Sequence, residues 1–109
     1  MYISHNLLSS ICGLDSNLNL RVLDVSNNPI EKLEGVRQLE RLEEFWASNC
    51  RLGSFEDVKG ELGGLGRLET VYLEGNPLES EQRVLYRGKV RLALPGVRKV
   101  DASEFGFDP

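Results

Sequence analysis

Apolar side chains recur in one register along this chain: Leu20, Leu23, Val25 and Ile30, then Leu42, Phe45, Ala47 and Leu52, then Leu68, Val71, Leu73 and Leu78. They belong to three copies of one string, LRVLDVSNNPI at 20–30, LEEFWASNCRL at 42–52 and LETVYLEGNPL at 68–78. Leu20 to Leu42 is a step of 22 residues; Leu42 to Leu68 is the same step plus four, the surplus falling in the glycine-rich KGELGGLG stretch. In each copy the Leu-x-x-Leu-x-Leu spacing predicts a short strand with alternate side chains on opposite faces, so Leu23 and Val25 point inward while Val22 and Asp24 point out. A unit this short cannot bury its apolar face alone, and burial requires stacking the strands in parallel. Stacking sets equivalent outward residues ~4.8 Å apart, one per copy, in ladders across one face.

A period of this length, with Asn28 and Asn76 after the strand, is the signature of a leucine-rich repeat. The predicted fold is an α/β solenoid: a short curved parallel sheet on the concave side, an irregular or 3₁₀ convex side, and a helical C-terminal cap. The asparagines are assigned to hydrogen-bonding the turning backbone, whose polar groups would otherwise lie buried without partners. Cys50 occupies that position in the middle copy and is read as a packing thiol. Leu33, Val36 and Leu39 recur at every third residue, which suits a 3₁₀-like convex segment, so little helix is expected before the end of the chain. KGELGGLG is read as a slack convex turn. A helix is expected from about Glu81 to Leu94, N-capped by Ser80, with Val84, Leu85, Val90 and Leu94 covering the open end of the stack and Pro95 stopping it. VRKVD at 97–101 supplies a last short strand with Asp101 in the outward column.

The division expected is repeats over 1–79, a cap over 80–105 and a flexible tail over 106–109. A partial copy opens the chain, since Ile3, Asn6, Leu8, Ile11 and Leu14 stand 22 positions before Val25, Asn28, Ile30, Leu33 and Val36. The chain thus begins inside a repeat without a cap, which leads us to expect earlier repeats upstream and, through the bare end, a tendency to self-associate.

Composition narrows the chemistry. No apolar run approaches the ~18 residues of a membrane span, and the opening residues lack the plan of a secretory signal. Two cysteines and no Asn-x-Ser/Thr sequon suit reduced thiols and an intracellular setting. A net charge of −4 with mixed signs gives no basic footprint for direct nucleic-acid binding. The single histidine, His5, shares a turn position with Asn27, Asn49 and Gly75, and Cys12 and Cys50 lack ligand-pair spacing, so neither a metal nor any other cofactor is expected. No serine has a motif-level base partner, and GELGGLG lacks the Lys-Ser/Thr of a phosphate loop, so the chain is expected not to be an enzyme.

Chemistry therefore concentrates on the outward ladders. The central column runs Tyr2, Asp24, Trp46, Tyr72 and Asp101; Val22, Glu44 and Thr70 flank it on one side, and Ser4, Ser26, Ser48 and Glu74 on the other. Aromatic side chains standing outside a core offer large rigid contact area at small entropic cost, the chemistry of interface hot spots. Asp24, Glu44 and Glu74 make the face acidic, which fits a partner bearing Lys or Arg. The structural alternatives are that Tyr2 covers the N-terminal end and that Trp46 and Tyr72 form an aromatic ladder stiffening the sheet.

The string YRxxVxxALPxVRxVD, Tyr86 to Asp101, resembles the C-terminal cap of intracellular leucine-rich-repeat proteins with 22-residue repeats. LRVLDVSNNPIEKLEG, LEEFWASN, LETVYLEGNPL and RGKVRLALPGVRKVDA together resemble the sds-twenty-two family of regulatory subunits of protein phosphatase type 1, from Met1 to about Phe105. The EFW and ETVYLE strings carry the specificity, because they fill outward positions that the repeat leaves free. The resemblance implies a non-catalytic protein of nucleus and cytoplasm that holds the phosphatase catalytic subunit on its concave face. By position, the contacts implied are Asp24, Glu44, Trp46 and Tyr72. The chain departs from that family at the loop after Leu78 and at the glycine-rich insertion. The alternative is a scaffold gripping an RNA-binding protein in a splicing-type ribonucleoprotein, a class that shares the cap.

Overall fold

A computed structural model describes residues 19–101 and 103–104. Tyr2, Ser4, His5, Cys12, the partial copy from Ile3 to Leu14 and the tail over 106–109 lie outside the described residues.

The three strings form strands in the predicted places: β1 (Val22–Asp24), β2 (Glu44–Trp46) and β3 (Thr70–Tyr72). They pair in parallel with Val22 beside Glu44 beside Thr70, Leu23 beside Phe45 beside Val71, and Asp24 beside Trp46 beside Tyr72. The middle residue of each strand, Leu23, Phe45 and Val71, is fully buried, and its two neighbours are half-buried. The core continues through Val25, Ala47 and Leu73 below the strands to Ile30, Leu52 and Leu78, and the convex Leu33, Val36 and Leu39 close it from the other side.

Asn76 is buried and makes the turn bonds assigned to it, donating Nδ2–H to the carbonyls of Ala47 (2.7 Å) and Leu73 (2.8 Å) while its Oδ1 accepts from Leu52 N–H (3.0 Å). One amide thus ties two repeats together. Asn28 donates to Val25 O at 2.8 Å, and the Cys50 thiol reaches the same carbonyl at 3.4 Å. Burial raises the Cys50 pKa above its ordinary value, partly offset by backbone hydrogen bonds, so the group stays a neutral packing thiol. The residue before each of these is left-handed: φ is 61° at Asn27, 55° at Asn49 and 76° at Gly75. Asn49 donates Nδ2–H to Asn27 Oδ1 at 3.3 Å, but at Gly75 a Cβ would lie 2.0 Å from Asn49 Oδ1. The asparagine ladder therefore ends where only glycine fits.

The helices depart from expectation. KGELGGLG is not a slack turn, since its first half completes α1 (Phe55–Leu62). Ser54 caps that helix, its Oγ accepting from Asp57 N–H at 3.2 Å, with Glu56 and Asp57 favourably placed in the first turn. Gly63 then caps the C-terminus, its N–H reaching Lys59 O at 2.9 Å. Val58 and Leu62 face the core, and the buried Glu61 carboxylate accepts from Val36 N–H (3.0 Å), Arg37 N–H (3.4 Å) and Arg37 Nε (2.9 Å). A helix replaces the turn because the four extra residues give the convex side room for two turns with a capped start.

A short helix, α2 (Pro77–Ser80), precedes the expected start, and the helix expected from Glu81 to Leu94 is confined to α3 (Tyr86–Ala93). Ser80 is the last residue of α2, not an N-cap. With Leu78 buried, the next inward positions of a continuing helix fall on Glu81 and Gln82, whose polarity favours solvent, so the chain turns out before α3 begins. Tyr86, Val90 and Ala93 form the inward face of α3 at i, i+4 and i+7, and Val90 and Leu94 cover the stack as expected. Val84 and Leu85 do not: they are 96% and 57% exposed.

The sheet closes with β4 (Lys99–Val100), parallel to β3, and with an unforeseen fifth strand, β5 (Ser103–Glu104), antiparallel to β4. Asp101 leaves the strand with φ of 50°. Its carboxylate accepts from Leu73 N–H (2.8 Å), Glu74 N–H (3.1 Å) and the Tyr86 hydroxyl (2.6 Å). Asp101 is therefore a latch between cap and sheet, not an outward ladder residue. Burial, then the bond and charge of Asp101, push the Tyr86 phenol far above its ordinary value.

Candidate partner-binding face

Parallel pairing without slip brings Asp24, Trp46 and Tyr72 into one row. The two rings pack with centroids 4.8 Å apart at an interplanar angle of 48°. Both are half-buried and neither belongs to the hydrophobic core, so the rings cover each other while keeping a surface outward. Trp46 is held in orientation by its Nε1–H, which donates to Glu44 Oε1 at 3.1 Å two residues back on the same strand. Glu44 thus lies on the same face, in the flanking column Val22, Glu44, Thr70. Asp24 is tied to its own turn by accepting from Ser26 N–H at 3.0 Å.

The remaining columns differ in role. Ser26 is 8% exposed and its Oγ accepts from Ser48 N–H at 3.0 Å, so it is a structural rung rather than polar surround. Glu74 is exposed beyond the end of β3 and keeps a carboxylate at the rim. Lys99 was passed over: pairing of Thr70 with Lys99 ends the flanking column on a positive charge. The acidity of the face is accordingly concentrated on β1 and β2. That register was readable, since VRKVD aligns with LETVY residue for residue. Glu43 pairs loosely with Arg21 at 3.8 Å with both side chains largely in solvent, which contributes little. Among the described residues no three His, Cys, Asp or Glu side chains gather where they could hold a metal, and no helix is long and apolar enough to cross a membrane.

A family model described as Leucine Rich Repeat matches residues 19–39. Protein phosphatase 1 regulatory subunit SDS22 of Schizosaccharomyces pombe is 54% identical over 65 residues, which cover 60% of this chain and 20% of that protein. The chain has the leucine-rich-repeat fold and is similar in sequence to the SDS22 regulatory subunits. The Saccharomyces cerevisiae protein of the same name is 47% identical over 51 residues (46% of this chain, 15% of the other), and human Protein phosphatase 1 regulatory subunit 7 is 52% identical over 56 (51% and 15%). The chain thus spans at most about a fifth of the length of these relatives. Among solved structures, the Drosophila melanogaster SNF/U2A' complex contains a chain that superposes with a TM-score of 0.70 at 20% identity, covering 91% of this chain and 70% of that one. That likeness concerns the solenoid fold.

Proposed function

We propose that this chain acts as a non-catalytic regulatory module whose concave face holds the catalytic subunit of protein phosphatase 1. The observation that carries this reading is the row Asp24, Trp46, Tyr72, with Glu44 fixing the indole, because it sets two preorganised aromatic surfaces beside carboxylates on a face that packing leaves open. Preorganised aromatics lose little entropy when a partner covers them. The relatives' names supply the partner. Glu74 is assigned to the edge of the same contact, and the protein to nucleus and cytoplasm. Nothing in the row offers a nucleophile with an adjacent base, so the mode of action is recognition without turnover.

Co-purification of the full chain with the purified type 1 catalytic subunit tests the proposal, with binding expected to weaken as salt rises because carboxylates frame the rings. A catalytic subunit that emerges alone at low salt would reject it. Presenting an RNA-binding partner in parallel separates the ribonucleoprotein alternative, which the shared solenoid fold alone supports.

A further inference from the structure

The cap carries a second surface that the concave face does not use. Residues 82–98 include five basic side chains, Arg83, Arg87, Lys89, Arg91 and Arg98, and no acidic one. The rest of the chain keeps eight of the 13 basic residues against all 17 acidic ones, a net charge of −9 set beside +5. Within this basic segment the largest exposed hydrophobic side chains among the described residues gather: Val84 at 96%, Leu92 at 81% and Leu85 at 57% exposure. On α3 they follow a helical face of their own, Leu85, Gly88 and Leu92 at i, i+3 and i+7, turned away from the buried Tyr86, Val90 and Ala93. With Pro95 they line an open groove of about 790 Å³ rimmed by Lys89 and Arg91, and no carboxylate lines it.

Gly88 sits mid-helix at the floor of this groove. A glycine there weakens the helix relative to alanine, and nothing in this chain calls for it: its φ is not in the left-handed region, and a Cβ would meet no atom within 4 Å. The notch it leaves is empty space facing outward between Leu85 and Leu92.

We propose that this groove is a second docking site, which takes an acidic segment of a partner protein presenting two or three large apolar side chains on one face. Apolar side chains fill the notch at Gly88 and cover Leu85 and Leu92, and the segment's carboxylates meet the basic rim. A notch between two side chains selects a knob, which an acidic peptide has and a smooth anionic surface lacks. The site is separate from the concave face and stands or falls without it.

The probe is a fluorescein-labelled acidic peptide of 14 residues with Leu and Phe at i, i+3 and i+7 and Glu elsewhere, titrated into the full chain by fluorescence anisotropy. Saturable binding is expected, weakened at least tenfold by Leu92→Ser and by replacing the peptide's Glu with Gln. Gly88→Ala gives the sharper readout: melting should rise by about 2–5 °C as the helix gains propensity, while peptide affinity falls severalfold as the notch fills. The proposal fails if the peptide does not saturate, if a scrambled peptide of the same composition binds equally, or if Leu92→Ser binds like the parent. It fails equally if sedimentation shows a dimer lost in Leu92→Ser, which makes a second copy the occupant, or if only phosphatidylserine vesicles bind.

Discussion

Replacing Asn76 with aspartate alters one polar group in the core and should make stability depend on pH in a way no truncation can. The native amide nitrogen faces two carbonyls, Ala47 O at 2.7 Å and Leu73 O at 2.8 Å, while its oxygen serves Leu52 N–H, in a site only 1% exposed. A protonated aspartic acid keeps the Leu52 bond and one carbonyl bond, so Asn76→Asp below about pH 4 costs one hydrogen bond, roughly 1–2 kcal/mol. Ionised, the second oxygen meets two carbonyl oxygens out of water, and the site must raise the carboxyl above its ordinary ~3.9. The protonated form's advantage is complete below that value and is lost as pH rises through the folded one, each unit of separation costing about 1.4 kcal/mol. A separation of two to three units brings the total to about 4–6 kcal/mol at pH 7. Asn76→Ala leaves Leu52 N–H and two carbonyls unpaired at every pH, roughly 3 kcal/mol. Urea unfolding followed by the single tryptophan, Trp46, from pH 3.5 to 8 compares the two variants at equal pH and cancels the parent's own titrations. Aspartate should be the more stable variant in acid and the less stable at neutrality. A constant gap between them would refute the account of the asparagine rung.

Glu61→Ala should cost about 2–3 kcal/mol by stranding the Val36 and Arg37 amides, and amide exchange should quicken at Val36 and through 55–62; unchanged protection at Val36 would show that the carboxylate is not what holds α1 down. Tyr86→Phe should lose about 1–3 kcal/mol at neutral pH through the Asp101 bond. Because the folded phenol lies above its ordinary value of 10.0, the parent keeps this contribution below pH 10 and sheds it at higher pH. Chemical denaturation from pH 8 to 11.5 should therefore find the gap between parent and Tyr86→Phe narrowing above pH 10, and parallel curves would contradict that.

The strands were legible because each copy places one fully buried residue between two outward ones, and aligning the repeated strings leaves the register no freedom even though the step between copies varies. The row Asp24, Trp46, Tyr72 follows from that counting alone. The helices were not, for specific reasons. The glycines of KGELGGLG suggest a turn, yet the Ser54 hydroxyl that caps the first turn by accepting from Asp57 N–H decides more than glycines near the far end. In the cap, apolarity alone marks Val84 and Leu85 as core, yet it is Tyr86, with its polar hydroxyl, that turns inward. The strand pattern correctly extended to Lys99 and Val100 but could not see the left-handed backbone that turns Asp101 back to the Tyr86 hydroxyl.

The central claim is that stacked turns display Trp46 and Tyr72 together to a partner, and calorimetric titration of the type 1 catalytic subunit with this chain tests it most directly. Trp46→Ala and Tyr72→Ala should each cost about 2 kcal/mol or more of binding, near 30-fold in affinity. Because the rings touch, the double variant should lose less than the sum. Melting temperature should stay within a few degrees, since neither ring belongs to the core. Unaltered affinity in both single variants, with the fold intact, would contradict the account.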